Sequence, residues 1–169
     1  MPETREEFIG RAMAEHESAL IGYATTILHS VDRARDVVQD TFIRLCQQKP
    51  EKVRENLKSW LYTVCRNRAL DVLRKDKHTE ALDDIRFRKV VGNSPAPDES
   101  ADLEERLAQV MKIMQRLSDN QREVILLKFQ QGLSYQEIQK VTGLSQGNIG
   151  FLIHTGLKRV RELLPDDIR

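Results

Sequence analysis

A row of basic, amide and aromatic side chains between residues 60 and 75 has the chemistry needed to bind single-stranded or partly melted DNA. Arg66 and Arg74 can neutralise phosphates, and Asn67 can pair with base edges. Trp60 and Tyr62 precede them, and an aromatic ring can stack on an unpaired base. The alternative is a solvated helix face, and for Trp60 itself a position in the core is favoured.

Residues 134–158 have the layout of a helix-turn-helix, which is the second candidate for DNA binding. A short helix is followed by a glycine turn at Gly143, and Ile149 and Leu152 anchor the next helix. In such a motif the first helix braces the second, whose amino-terminal end enters the major groove. A purely structural three-helix bundle would have the same spacing, so the motif alone leaves both alternatives open.

No pattern in the sequence indicates an enzyme. It has no phosphate-binding loop, no metal-ligand spacing and no nucleophile with a candidate base. Cys46 and Cys65 lie in helical patterns without a neighbouring Cys/His cluster, so we predict two buried thiols. We therefore expect no catalysis, no cofactor and no bound metal.

Charge is unevenly distributed, although the formal net charge of the 169-residue chain is only +1. Residues 1–48 carry five Lys/Arg and eight Asp/Glu, whereas residues 49–78 carry nine and four. Residues 145–161 are basic as well, with three cations and no acidic residue. Two separate basic surfaces indicate a polyanion-binding protein with two contact points.

The composition favours a cytoplasmic protein without membrane insertion. A charged fraction of 31% is typical of a soluble, helix-rich chain. The sequence has no apolar run long enough to span a membrane, and its first residues lack the order of a signal peptide.

Apolar periodicity predicts an all-α protein with two small helical domains joined by a flexible linker. Turn and proline chemistry at residues 92–98 marks the linker. Three helices whose apolar faces can close a small bundle are expected over residues 6–28, 32–48 and 56–75. We place the first domain at residues 1–78, the linker at residues 79–100 and the second domain at residues 101–169.

The second domain is expected to begin with an amphipathic helix and to continue with three short ones. Ser118 with Gln121 and Ser134 with Glu137 have the spacing of capping boxes, which mark two helix starts. The predicted apolar face of the first helix comprises Leu103, Leu107, Val110, Met111, Met114 and Leu117.

Four ordered segments carry a family resemblance. They are residues 36–45 (DVVQDTFIRL), 59–71 (SWLYTVCRNRALD), 117–124 (LSDNQREV) and 132–138 (GLSYQEI). In this order they resemble bacterial sigma factors of the extracytoplasmic-function (ECF) class. The resemblance covers nearly the whole chain apart from the linker.

The resemblance implies a transcription initiation factor that binds core RNA polymerase and promoter DNA. In that family the first domain, region two, binds the clamp helices of the largest polymerase subunit and recognises and melts the minus-ten element. The second domain, region four, binds the flap of the other large subunit and the minus-thirty-five element. Regulation by an anti-sigma factor is common in the family, so such a partner is expected.

The resemblance also assigns three sets of site residues. The polymerase-docking face of the second helix would comprise Asp36, Gln39, Asp40 and Arg44. The minus-ten set, which includes the loop expected to capture a flipped base, would comprise Asn56, Lys58, Ser59, Trp60, Arg66, Asn67, Asp71 and Arg74. The minus-thirty-five set would comprise Ser134, Tyr135, Ser145, Gln146, Asn148, Phe151, His154 and Lys158.

The recognition helix departs from the family pattern. Members usually place lysine and arginine within this helix, whereas this chain has no full positive charge between Ser145 and Lys158. Gln146, Asn148 and His154 can still contact base edges or phosphates, since amides pair well with adenine.

An aromatic residue and three glycines add to this departure. Phe151 is predicted to point outward, and it could contact a thymine methyl, the preceding helix or a protein partner. Gly147, Gly150 and Gly156 each cost up to about 1 kcal/mol of helix propensity. Close approach to a partner or to a neighbouring helix would explain them.

Two other classes of function remain open from the sequence. The first is a conventional regulator in which only residues 118–164 contact DNA, and polymerase binding would discriminate it from a sigma factor. The second is an anti-sigma partner or scaffold that does not contact specific DNA. A sequence-specific footprint with polymerase would exclude this second class.

Overall fold

The computed structural model describes residues 1–82 and 101–166, with side chains described for residues 1–78 and 102–166. Within these ranges the chain forms helices joined by short turns and contains no β-strand. It divides into two compact units, one amino-terminal and one carboxy-terminal. The predicted all-α architecture of two small helical units is thereby confirmed. None of the helices in this part of the chain is both long and apolar enough to cross a membrane.

The first unit is built on three long helices. α1 begins with a capping box, in which the Thr4 hydroxyl accepts from the Glu7 amide (3.1 Å) and the Glu7 carboxylate accepts from the Thr4 amide (2.8 Å). It ends at His29, whose φ of 54° is left-handed. The elements are α1 (Arg5–Leu28), α2 (Val31–Cys46), α3 (Pro50–Val53), a 3-10 turn (Arg54–Asn56) and α4 (Leu57–Leu82).

The core of the first unit lies among α1, α2 and α4, which contact one another pairwise. Leu20 and Leu61 are fully buried, and the rings of Tyr23 and Tyr62 pack with their centroids 5.2 Å apart. Because one side of each helix packs into this core, the polar sides of α2 and α4 face outward.

Three details of the first unit differ from the predictions. Pro50 lies between the second and third predicted helices, where no helix was predicted, but it opens the short helix α3 at a position that proline favours. α4 continues past residue 75 to Leu82, because no proline or glycine lies between residues 57 and 91. Residues 79–82 of the predicted linker are therefore helical, and the rest of it lies outside the described residues.

The second unit comprises four helices and one irregular turn. Both predicted capping boxes are present, with bonds of 3.1 and 3.1 Å between Ser118 and Gln121 and of 3.1 and 3.0 Å between Ser134 and Glu137. The elements are α5 (Ala101–Gln115), α6 (Asp119–Ile125), a π-helical turn (Leu126–Gln130), α7 (Tyr135–Thr142) and α8 (Gln146–Leu163).

The π-helical turn was not predicted. It is closed by the Gln131 amide, which donates to the carbonyl of Leu126 at 3.0 Å. Gly132 follows with a φ of 70°, a left-handed conformation that glycine adopts without strain. The turn leaves Phe129 62% exposed on the surface of the second unit.

The predicted apolar face of α5 is wrong over its first three turns. Leu103, Leu107 and Met111 are more than half exposed, whereas Met114 is buried. Ile113 and Met114, near the carboxy-terminal end of α5, are buried, and the guanidinium of Arg122 donates to the carbonyls of Met114, Gln115 and Leu117 at 2.9–3.1 Å. Amphipathic spacing alone could not show where that packing begins.

Candidate functional site

The outward face of α2 presents most of the residues predicted to bind polymerase. Asp36, Gln39 and Arg44 are exposed, while the opposite face of the helix is buried in the core. Ile43 lies among them and is 51% exposed. The face therefore combines charged, amide and apolar groups, as a protein-binding surface requires.

Asp40, the remaining member of this set, is engaged within the unit. Its carboxylate accepts a hydrogen bond from the Arg68 guanidinium of α4 at 2.9 Å. The two side chains are 45% and 27% exposed, so this ion pair is partly screened by water. Arg68 was not singled out from the sequence, because no local spacing connects it with a residue 28 positions earlier.

An open groove of about 400 Å³ lies between α1 and α2 and shares residues with this face. Asp36, Gln39 and Ile43 line it together with the apolar side chains of Met13 and Phe42. Met13, on the α1 side of the groove, is 38% exposed. The groove gives the α2 face an apolar depression that the sequence did not reveal.

Trp60, Asn67 and Arg74 lie on one outward line of α4. They recur at intervals of seven residues, which is close to two helical turns. Asn67 and Arg74 are exposed and Trp60 is partly exposed, so the core position favoured for Trp60 is corrected. Arg74 forms an ion pair with Asp71 on the same side of the helix. The predicted combination of an aromatic ring, an amide and a cation is therefore present on one face.

Other members of the minus-ten set occupy different positions. Asn56 is exposed at the end of the 3-10 turn, and Lys58 and Arg66 are half-buried. Ser59 is only 5% exposed, and its hydroxyl donates to the Asn56 carbonyl at 3.2 Å. The structure thus places Ser59 beneath the surface, where it fixes the turn. Tyr62 is 1% exposed, so the suggested stacking of its ring on a base is wrong.

The two cysteines differ in their surroundings. Cys65 is fully buried, and its burial raises the pKa of the thiol to about 12. Cys46 is exposed at the end of α2, which corrects the prediction of two buried thiols. Within the residues that the structure describes, no group of three or more His, Cys, Asp or Glu side chains could hold a metal ion.

The predicted helix-turn-helix is formed by α7 and α8. Gly143 ends α7 with a φ of 78°, and Ser145 starts α8 by accepting a hydrogen bond from the Asn148 amide at 3.1 Å. Ile138 and Ile149 are fully buried behind the turn. The hydroxyls of Ser134 and Ser145 are both helix caps, so these two site residues have a structural role whatever else they contact.

α6 braces α8 from behind. A Cβ atom added at Gly156 would lie 2.6 Å from Cδ1 of Ile125, so the glycine permits close approach of the two helices. One helical turn away, Gln121 Nε2 donates to the hydroxyl of Thr155 at 3.1 Å. These contacts hold the orientation of α8.

The outward face of α8 carries a line of four residues. Gly147, Phe151, His154 and Lys158 recur at intervals of four, three and four, and all four are exposed. Near the same end, Gln146 donates to Gln139 of α7 at 3.0 Å and Asn148 is exposed. The first two turns of this face thus offer amides and an aromatic ring, and the cation comes only in the last turns.

Tyr135 lies at the start of α7 and is 39% exposed. The ammonium group of Lys128 sits 5.2 Å from the centre of its ring, within the range of a cation–π contact. Lys128, which was not among the predicted site residues, therefore places a positive charge at the amino-terminal end of the helix-turn-helix.

Comparisons with known families and proteins agree with this architecture. Residues 12–79 match the family described as Sigma-70 region 2, and residues 107–160 match that described as Sigma-70, region 4. The chain is 28% identical to the RNA polymerase sigma factor CarQ of Myxococcus xanthus, over 89% of this chain and 86% of that one. It is 29% identical to the ECF sigma factor SigL of Mycobacterium tuberculosis, over 90% and 86%.

A solved structure shows the same fold. The sigma factor RpoE of Bartonella quintana, crystallised with the anti-sigma factor NepR, matches with a TM-score of 0.72 and 29% identity. The match covers 94% of this chain and 97% of that one.

The two ordered regions define a transcription initiation factor. The match of residues 12–79 to Sigma-70 region 2 discriminates against a conventional helix-turn-helix regulator, because that class would need only the helix-turn-helix part of the chain. The chain belongs to the sigma-70 family and is a sigma factor of the ECF class, which directs RNA polymerase to specific promoters and initiates transcription.

Proposed function

We propose that the two units divide the work of initiation as the sigma regions imply. Residues 1–78 bind core polymerase and the minus-ten element, residues 79–100 act as a linker, and residues 101–169 bind the flap and the minus-thirty-five element. The observation that carries this proposal is the pair of outward faces on α2 and α4. Both helices pack in the same core, but the α2 face presents acidic, amide and apolar side chains and the α4 face presents an aromatic ring, an amide and a cation.

The outward face of α2 is the proposed polymerase surface, with Asp36, Gln39, Asp40 and Arg44 as its polar contacts. The clamp helices of the largest subunit are the proposed partner. The groove beside Ile43 supports this assignment, because a protein interface needs an apolar centre as well as charges. On binding, the Asp40 carboxylate either leaves Arg68 for a polymerase group or accepts hydrogen bonds from both.

The outward face of α4 is the proposed minus-ten surface. Trp60 stacks on an unpaired base, Asn67 contacts a base edge, and Arg74 contacts phosphate. Asn56 and Lys58 border the pocket for a flipped base, with Arg66 and Asp71 beside it, and Ser59 holds the turn that shapes the pocket. A preformed pocket is needed because flipping a base costs a few kcal/mol of stacking.

The amino-terminal half of α8 is the proposed reader of the minus-thirty-five element. Gln146, Asn148 and Phe151 face the base pairs in the major groove, while His154 and Lys158 lie nearer the phosphates. Ser134, Tyr135 and Ser145 border the same groove at the amino-terminal ends of α7 and α8. The exposure of the outer line of α8 supports this proposal.

We further propose three properties of the whole protein. It acts in the cytoplasm, where its polymerase is, and it performs no catalysis of its own. An anti-sigma factor holds it inactive, as the likeness to an RpoE crystallised with NepR suggests.

Run-off transcription from genomic fragments tests these assignments, using core polymerase with and without the protein. Asp36→Ala is expected to lower the affinity for core polymerase, and Glu51→Ala, an exposed acid outside the α2 face, is its matched control. Asn67→Ala should leave core affinity unchanged and reduce the yield of open complex. Asn120→Ala, on α6, is the matched amide control.

Discrete start sites that require the protein and weaken in both test variants would support the division of labour. Loss of open complex with Asn120→Ala as large as with Asn67→Ala would contradict the minus-ten assignment. Sequence-specific DNA binding that does not depend on polymerase would contradict the assignment of the first unit.

A further inference from the structure

We propose that Phe151 recognises the 5-methyl group of thymine in the minus-thirty-five element. This inference rests on the proposed placement of α8 in the major groove. It adds a specific base feature and an apolar mode of recognition to a helix that lacks the usual cations.

The first observation is the exposure of the ring. Phe151 is 63% exposed in the middle of α8, so it does not pack on the preceding helix. A partner that covers this exposed ring gains free energy from the burial of its apolar surface. In the major groove, the thymine methyl is the apolar group that such a ring can cover.

The second observation is the contrast between two glycines of α8. Gly156 is explained by packing, because an added Cβ would lie 2.6 Å from Ile125. Packing does not explain Gly147, since among the described residues an added Cβ would meet no neighbouring element within 4 Å, and its φ is not left-handed. Gly147 lies one turn before Phe151 on the same face, and helical side chains lean toward the preceding turn. The bare backbone there gives a base pair room to approach the ring.

The third observation is the arrangement of charge along the same line. Within α8 no lysine or arginine precedes Lys158, which lies seven residues after Phe151. At 1.5 Å per residue the two positions are about 10.5 Å apart along the helix axis. Phosphate attraction is therefore concentrated away from the ring, and recognition at the ring depends on shape and apolar contact.

The test replaces thymine with uracil, which lacks only the methyl group. The probe is a promoter fragment identified by run-off transcription, with single substitutions at each thymine of the upstream footprint. Holoenzyme is titrated against each fragment. The wild-type protein is expected to lose roughly three- to five-fold in affinity at one or two positions, as burial of one methyl group implies.

The variants make the assignment specific. Holoenzyme with Phe151→Ala should bind the thymine fragment more weakly and show no further loss with uracil. Phe129→Ala removes an equally exposed ring from the π-helical turn and should retain the uracil effect. Gly147→Ala should lower promoter affinity without lowering thermal stability, because its Cβ would contact no other element within the described residues.

Three results would overturn the inference. Wild-type affinity unchanged by every uracil substitution, with the upstream footprint intact, would refute thymine recognition and leave the sigma function standing. An equal uracil effect in Phe151→Ala would assign the methyl contact to another residue. Weakened core binding by Phe151→Ala in the absence of DNA would make the ring a protein contact. Absence of any upstream footprint would instead refute the proposed role of α8 itself.

Discussion

A side chain at Gly156 is expected to push α8 away from α6. The added Cβ would lie 2.6 Å from Ile125 Cδ1 and 3.4 Å from Gln121 Cβ, and Ile125 is buried. Overpacking of this kind costs about 1–3 kcal/mol, whereas replacing glycine by alanine in a helix gains about 1 kcal/mol of propensity. Gly156→Ala should therefore destabilise the second unit by up to about 2 kcal/mol.

Two further variants isolate the clash. Gly150→Ala changes the same residue type in the same helix but meets nothing within 4 Å, so it should stabilise the unit by up to about 1 kcal/mol. Ile125→Val removes the Cδ1 atom and alone costs about 0.5–1.5 kcal/mol. The double variant Gly156→Ala with Ile125→Val should be more stable than Ile125→Val alone by up to about 1 kcal/mol, because the clashing atom is gone and the gain in helix propensity remains.

Amide hydrogen exchange in α8 and urea unfolding followed by circular dichroism measure these effects. Trp60 is the single tryptophan and lies in the first unit, so its fluorescence transition is an internal control that should not move. The reasoning is refuted if Gly156→Ala stabilises α8 as Gly150→Ala does. Strict additivity of Gly156→Ala and Ile125→Val would refute it as well.

Three other predictions concern the first unit. A thiol reagent should modify Cys46 at once and Cys65 only on unfolding, and rapid reaction in a Cys46→Ser variant would contradict the burial of Cys65. Because the pKa of the Cys65 thiol is higher in the folded state than in the unfolded state, folding is most favourable where the thiol is protonated in both states, below the unfolded pKa of about 9. Stability should therefore fall as pH rises from about 9 towards the folded pKa of about 12, and Cys65→Ala should reduce that fall. Asp40→Asn and Arg68→Ala should each cost less than about 1 kcal/mol, since their ion pair is partly exposed. Asp40→Asn should nevertheless lower core polymerase affinity further than Arg68→Ala does, and equal losses would reduce Asp40 to a structural role.

Local sequence signals were sufficient to predict most of the helices. A capping box is satisfied within four residues, so Ser118 and Ser134 could be identified as helix starts without knowing what surrounds them. The glycine turn at Gly143 was predictable for the same reason, because its φ of 78° is a property of the turn itself.

Burial was harder to predict, because it depends on which neighbours reach each face. Cys46 and Met13 fit apolar stripes but lie at the margin of the α1–α2 contact, where the groove opens. Leu103 has the right spacing for a core residue, yet it is 60% exposed on the first turns of α5. Periodicity identifies the apolar face of a helix and not how far along that face a neighbour extends.

The candidate site shows the same division between local and tertiary information. The α4 and α8 faces could be proposed from residue types and spacing, because positions three, four and seven apart share a helix face. The α2 set came from the family resemblance. The pairing of Asp40 with Arg68 could not, since it joins two helices that are distant in sequence. An intramolecular partner changes what a variant tests, because Asp40→Ala removes an internal contact as well as a proposed polymerase contact.

The glycines of α8 show why the structure was needed to separate function from packing. In the sequence, Gly147, Gly150 and Gly156 are equivalent, because each lowers the propensity of the same predicted helix. In the fold, Gly156 is required by Ile125 of the same unit, whereas added Cβ atoms at the other two would meet no neighbouring element within 4 Å in the part of the chain that the structure describes. A residue that lowers helix stability without any internal packing benefit is best explained by something outside the chain. Because Gly147 shares its face with an exposed Phe151, we infer that the surface of promoter DNA makes the close approach there.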